Sequence, residues 1–160
     1  MTETKNLTAA DIKVGDKLPD LVVDVSATTI VLGAMAARDW RPMHHDKDFA
    51  NNQGVPNIFM NTPNQAAWYE RYLTDWTGPL GRPAGLIFKM KASVVPGDTM
   101  AFRGEVTEVE VDEANGVGWI TLSVPQTVGD KLVTDCTAKI AVPAKEGDNP
   151  WSLKGDNWKP

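Results

Sequence analysis

Apolar and polar positions alternate in "VVDVSAT", where Val23, Val25 and Ala27 are interleaved with Asp24, Ser26 and Thr28, the period of a half-buried strand. The apolar run "IVLGAMAARDW" that follows predicts a short helix. Pro42 ends it at Arg41, because the residue before a proline is disfavoured in the helical region. The clearest helix is "NTPNQAAWYERYLTDW", with Thr62 as a good N-cap, Pro63 at the first helical position and Gln65 able to close a capping box. Tyr69, Tyr72, Leu73 and Trp76 give it one apolar face that must be buried, and Gly78 and Pro79 stop it.

From about Ala84 the period becomes that of strands. Leu86, Phe88, Met90, Ala92 and Val94 alternate with polar residues, and the "VPGD" turn at Val95 to Asp98 leads to Met100, Phe102 and Val106. The apolar phase then slips and resumes at Val109 and Val111, which predicts a β-bulge. Asn115–Gly116 and Gly129–Asp130 are hairpin turn signals, flanked by Ile120, Leu122 and Val124 and by Leu132, Cys136, Ile140 and Val142. One central helix followed by long antiparallel strands predicts an α+β domain in which a curved sheet wraps a helix. The pattern alone fits a hotdog fold or another helix-on-sheet domain, such as a cone-shaped ligand-binding barrel.

The division of the chain follows: residues 1–15 as a polar, loosely held N-terminal extension, 16–144 as the domain, and 145–160 as an aperiodic tail. Trp151 and Trp158 in the tail are costly to leave in water, so the tail folds back on the body or covers a partner. With 160 residues the chain can bury a core without disulfides or a structural metal. A net charge of -5 argues against nucleic-acid and anionic-membrane partners. The single cysteine, Cys136, falls within a strand pattern and reads as a buried thiol in a reducing compartment. No secretory leader or membrane-spanning run is visible, so a cytoplasmic setting is expected.

The candidate chemistry is in "RDWRPMHHD", which holds both histidines, His44 and His45, between Asp39 and Asp46. Asp39 and His44 are five residues apart, but with Pro42 between them the chain can turn and bring carboxylate and imidazole to one point. Such a pair can activate a water and protonate a carbon. The alternative is a solvated loop in which Asp39 caps a helix end or pairs with Arg38 or Arg41. A metal site at His44, His45, Asp46 and Asp48 lacks a second ligand cluster elsewhere in the sequence, so no metal is expected. Phosphate loop, dinucleotide fingerprint and nucleophile elbow are all missing from the sequence.

These residues resemble a known family. Asp39, Pro42 and His44 stand at the spacing of the hydratase-2 motif of MaoC-like hotdog proteins, with Arg38 where that motif has glycine and Arg41 where it has asparagine. Together with "QGVPNIFMN" and "RYLTDWTGP", the loop looks like the small MaoC-like subunit of heteromeric enoyl-CoA hydratases that act in steroid side-chain degradation. The resemblance implies that Asp39 and His44 activate water for syn addition to an α,β-unsaturated acyl-CoA. It places a backbone N–H donor for the thioester oxygen at Asn61, with Gly54 in the loop leading there. Trp40, Phe59, Met60 and Trp68 become candidate walls for a bulky acyl group. It further implies a dimer of hotdog protomers, or a heterotetramer with a larger MaoC-like chain fused to an OB-fold (DUF35) module. No cofactor is implied, since CoA is part of the substrate.

Two other readings stay open on the sequence. A hotdog thioesterase would place an acidic residue on the central helix, where only Glu70 and Asp75 stand, towards its C-terminus. A non-catalytic hotdog subunit completing a partner's acyl-CoA tunnel, or a plain ligand carrier, would have no need of Asp39 and His44.

Overall fold

Ser26 sets where the first helix begins. Its backbone is extended and its hydroxyl accepts the Thr29 N–H, so the strand-like alternation breaks off and a helix starts at the next residue. In the computed structural model, which describes residues 6–160, the first strand is therefore only β1 (Leu21–Asp24), and α1 spans Ala27–Ala36. The alternation at Val25 and Ala27 belongs to a cap and a first turn, not to a strand.

Pro42 does not end α1. The helix closes earlier in a Schellman motif, in which the Arg38 N–H donates to Met35 O at 3.0 Å and the Asp39 N–H donates to Ala34 O at 2.9 Å. Arg38 has φ +54°, the left-handed conformation this motif requires and glycine adopts at least cost. Pro42 instead opens a single 3₁₀ turn, Pro42–His44, ahead of α2 (Lys47–Asn52), whose N-cap is Asp46.

The central helix α3 runs Thr62–Thr77. Its N-cap is Asn61, not Thr62: the Asn61 Oδ1 accepts the Asn64 N–H at 3.2 Å, and Thr62 is the first helical residue. Gln65 closes no capping box; it is turned inward. Tyr69, Tyr72 and Leu73 form the buried face, and each contributes roughly 1.5–3 kcal/mol of apolar burial. The Tyr69 ring meets Phe102 edge to face at 4.9 Å, and the Tyr72 hydroxyl accepts the Gly104 N–H at 2.8 Å.

Around α3 curves a seven-stranded antiparallel sheet, with β2 (Arg82–Met90), β3 (Thr99–Phe102), β4 (Glu105–Asp112), β5 (Val117–Ser123), β6 (Gln126–Val128) and β7 (Lys131–Pro143) following the helix. The order is β1-β3-β6-β7-β5-β4, and β2 pairs with the other side of β7. This is the α+β wrap that the sequence predicts. The hairpin turns fall at Asn115–Gly116 and Gly129–Asp130, and the register of β4 against β5 shifts between Val106 and Glu108, where the apolar phase slips. One expectation differs: β2 stops at Met90, so Ala92 and Val94 lie in a loop. There the Val94 carbonyl accepts the Met60 N–H at 2.9 Å and ties this loop to the approach to α3.

The N-terminal segment is less loose than its polarity implies. Residues 1–5 lie outside the description, but Ala9 and Ile12 are buried in the main core and the Leu7 N–H donates to Thr77 O. The tail folds back on the body. Arg82 donates from Nη1 to Pro150 O at 3.1 Å and to Leu153 O at 3.0 Å, and its guanidinium lies 3.5 Å from the Trp158 ring centre. Trp158 in turn packs on Trp119, while Trp151 stays half exposed. No helix among the described residues is long and apolar enough to cross a membrane.

Candidate active site

The Schellman turn at the end of α1 delivers Asp39 as the residue just after the left-handed Arg38, with its N–H fixed to Ala34. The 3₁₀ turn then delivers His44. The two side chains meet with His44 Nε2 and Asp39 Oδ2 3.3 Å apart. His44 is buried, and its Nδ1–H donates to the Phe59 carbonyl at 2.7 Å. A carbonyl only accepts, so this bond fixes the proton on Nδ1 and leaves Nε2 as the nitrogen that faces Asp39. The Phe59 ring stands edge-on to the imidazole at 4.9 Å and limits its rotation.

Asn61 holds the carboxylate from the other side, its Nδ2 donating to Asp39 Oδ2 at 3.1 Å. That bond, foremost, holds the Asp39 carboxyl below its usual range. Partial burial opposes it, while the Arg41 N–H and the charges of His44 and Arg41 add to it. The bland reading, a solvated loop with Asp39 capping a helix or paired to an arginine side chain, does not describe this arrangement: Asp39, His44 and Asn61 converge on one point. His45 is exposed and closes the 3₁₀ turn through its N–H, which donates to Pro42 O.

A cavity of about 650 Å³ opens at this point, with Asp39, His44, Asn61, Phe59 and Met60 in its lining. Asn61 is both a wall residue and the N-cap, and its backbone N–H finds no acceptor in the chain among the described residues. Asn61 thus stands at the cavity wall, and its side chain has a task of its own, bracing Asp39. Two of the residues singled out in the sequence lie elsewhere. Trp40 is 64% exposed and outside the cavity, because the turn that aims Asp39 inward sends its neighbour outward. Gly54, with φ +80°, closes the turn after α2 and borders an adjoining smaller pocket that shares Ala92 and Ser93 with the main one. Trp68 is partly buried against the core and does not reach the cavity.

Gln65 and Thr134 were not read from the sequence as part of a site. Both are buried, and the Thr134 hydroxyl donates to Gln65 Oε1 at 3.0 Å, with Gln65 lining the cavity. A signal was available: positions 61, 65, 69, 72 and 73 share the buried face of α3, and Gln65 is a polar residue inside that apolar stripe. Glu70 and Asp75 are exposed, and Asp75 pairs with Arg71. No group of three or more His, Cys, Asp or Glu side chains placed to hold a metal ion occurs among the described residues.

No family model matches the chain. The beta subunit of 3-oxo-4,17-pregnadiene-20-carboxyl-CoA hydratase from Mycobacterium tuberculosis is 37% identical over 121 residues, covering 74% of this chain and 89% of the relative. The crystal structure of the ChsH1-ChsH2 complex from Mycobacterium tuberculosis matches with a TM-score of 0.71 and 31% identity, over 81% of this chain and 98% of that one. A MaoC-like dehydratase from Rhodospirillum rubrum, 22% identical, shares the fold with a TM-score of 0.76 over 88% of this chain and 99% of its own. On the strength of these likenesses, carried by a chain whose helix and wrapping sheet have the hotdog arrangement, this protein belongs to the MaoC-like, hydratase-2-type hotdog family of enoyl-CoA hydratases and dehydratases.

Proposed function

We propose that this chain hydrates an α,β-unsaturated acyl-CoA thioester, a steroid side-chain enoyl-CoA, to the 3-hydroxyacyl-CoA, with Asp39 and His44 activating the water. The observation that carries this reading is the placement of His44 Nε2 3.3 Å from Asp39 Oδ2 at a cavity wall, with Nδ1 already committed to Phe59 O. A water held by both groups donates one hydrogen to each. As its oxygen bonds to C3, His44 Nε2 takes one of its protons, and the C2–C3 π pair moves towards C1 so that charge gathers on the thioester oxygen. Asp39, kept ionised by Asn61, stabilises the imidazolium. His44 then returns the proton to C2 and the carbonyl re-forms, which completes the addition of one water on one face.

The Asn61 backbone N–H, which has no acceptor among the described residues, supplies a donor for the thioester oxygen. No electrons leave the substrate, so the reaction as written calls for no redox cofactor, and a CoA thioester substrate is in keeping with a cytoplasmic setting. The steroid acyl group is supported by the likeness to the mycobacterial hydratase beta subunit, and a second, different subunit by the likeness to the ChsH1-ChsH2 complex. β2, paired only with β7, leaves one sheet edge open for a second hotdog protomer. Thioester hydrolysis is less well supported, because Glu70 and Asp75 lie outside the cavity.

The test is the loss of enoyl-thioester ultraviolet absorbance with steroid side-chain and short-chain enoyl-CoA esters, for the chain alone and with a co-expressed larger MaoC-like partner. Asp39→Asn and His44→Ala should each lower kcat by about 10²-fold or more while remaining folded. Release of free thiol in place of hydration would point to the thioesterase, and full activity of both variants would remove the dyad from the mechanism.

A further inference from the structure

One side-chain donor at the cavity, the Gln65 amide, has no acceptor among the described residues. Gln65 is 1% exposed and stands on the face of α3 that is otherwise Tyr69, Tyr72 and Leu73. Its Oε1 is occupied by the Thr134 hydroxyl at 3.0 Å, and Thr134 is itself fully buried in β7. The Gln65 Nε2 has no acceptor among the described residues. It is not sealed either: among the described residues, the enclosed side-chain polar atoms without a partner are Tyr69 Oη and Gln126 Oε1. The open space that Gln65 borders is the cavity shared with Asp39, His44 and Asn61.

An amide donor left unpaired in a buried wall is destabilising, and an apolar residue would satisfy the core. A ligand oxygen is the partner that makes sense of it. Side chains on a helix lean towards its N-terminus, so Gln65, four residues after Asn61, reaches back over the first turn of α3. That brings its Nε2 to the same end of the helix as the free Asn61 N–H.

We propose that Gln65 is a second hydrogen-bond donor to the thioester oxygen, acting beside the Asn61 N–H, with Thr134 as the positioning residue that holds its amide in that orientation. The inference rests on the hydratase reading. The oxygen gains negative charge as water adds at C3 and loses it when C2 is protonated, so a fixed donor there favours the transition state more than the bound substrate.

Three variants test it in the complex used for activity: Gln65→Met, of similar shape but with no donor; Thr134→Val, which frees the amide; and Thr134→Ser, which keeps the hydroxyl. Gln65→Met should lower kcat by about 10²-fold on short and bulky enoyl-CoAs alike, with little change in KM. Thr134→Val should show a smaller loss of kcat, and Thr134→Ser should restore it. A second readout needs no turnover. Wild type and Asp39→Asn should both raise the enolate absorbance of bound acetoacetyl-CoA, and folded Gln65→Met should not. Unchanged kcat in Gln65→Met, a loss confined to KM or to one acyl group, or an unchanged enolate signal would overturn the inference while leaving the hydratase reading intact. A wild type that hydrates no ester, alone or with its partner, would overturn both.

Discussion

The Asn61 side chain performs two tasks at once: its Oδ1 caps α3 through the Asn64 N–H, and its Nδ2 holds Asp39 Oδ2 at 3.1 Å. The two tasks separate by mutation. Asn61→Ala removes both and should cost about 1 kcal/mol of stability together with a loss of rate. Asn61→Asp keeps the cap but exchanges the bond to Asp39 for a second carboxylate, so it should be less stable than wild type at neutral pH, recover as the pair takes up a proton on acidification, and lose more of the rate. Chemical unfolding and kcat on the same samples distinguish the two.

The same bond sets a pH dependence. The Asp39 carboxyl is held below its ordinary value of 3.8, chiefly by Asn61. Its ionised form therefore adds stability above the unfolded carboxyl's pKa, and that contribution is lost as pH falls through the lower folded value. The stability gap between wild type and Asn61→Ala should narrow on acidification from about pH 6 to about pH 3, and a carbon-13 NMR titration should find the Asp39 carboxyl shifted upward in the variant.

Arg38 occupies a left-handed position at φ +54°, where glycine is least strained. Arg38→Gly should stabilise the fold by about 1 kcal/mol, a rise of roughly 2–4 °C in melting temperature for a chain of this size. A fall in melting temperature would mean that the guanidinium makes contacts worth more than the strain.

Arg82 anchors the tail through two carbonyls and the Trp158 ring. Arg82→Ala should cost about 2 kcal/mol, shift tryptophan emission to the red and open residues 145–160 to proteolysis. An unchanged emission spectrum and cleavage pattern would mean that Trp119, Val117 and Ala141 hold the tail without it.

Cys136 is buried in β7, and that burial, with Asp135 beside it, pushes its thiol up to about 12. The native protein should not react with a thiol reagent at about pH 8, and the unfolded chain should react stoichiometrically.

What was legible in the sequence was what short-range chemistry decides. The apolar face of α3, the turns at Asn115–Gly116 and Gly129–Asp130 and the bulge after Val106 each depend on neighbours within a few residues. Misreadings arose where two local rules compete. "VSATT" satisfies both strand alternation and a serine cap, and the Ser26 hydroxyl wins because it takes an N–H that the helix would leave unpaired. Asn61 and Thr62 are both good caps, and the choice falls to Asn61 because its other amide atom is needed 22 residues away at Asp39. Contacts of that span, like Thr134 with Gln65, leave no periodic trace. The Asp39 and His44 pairing is reachable because the two lie five residues apart with a proline between them, and the family motif has the same spacing.

Asp39 follows the C-terminal end of α1, Asn61 and Gln65 stand at the N-terminal end of α3, and the two helices touch where Asn64 donates from Nδ2 to Thr29 O at 3.1 Å. Gly33 lies against that amide, and any side chain there would collide with Asn64. On the proposed mechanism, the spacing between the dyad and the start of α3 is therefore gauged by an atom that is missing: a methyl group at position 33 would displace the Asn64 amide and disturb that spacing without touching Asp39 or His44.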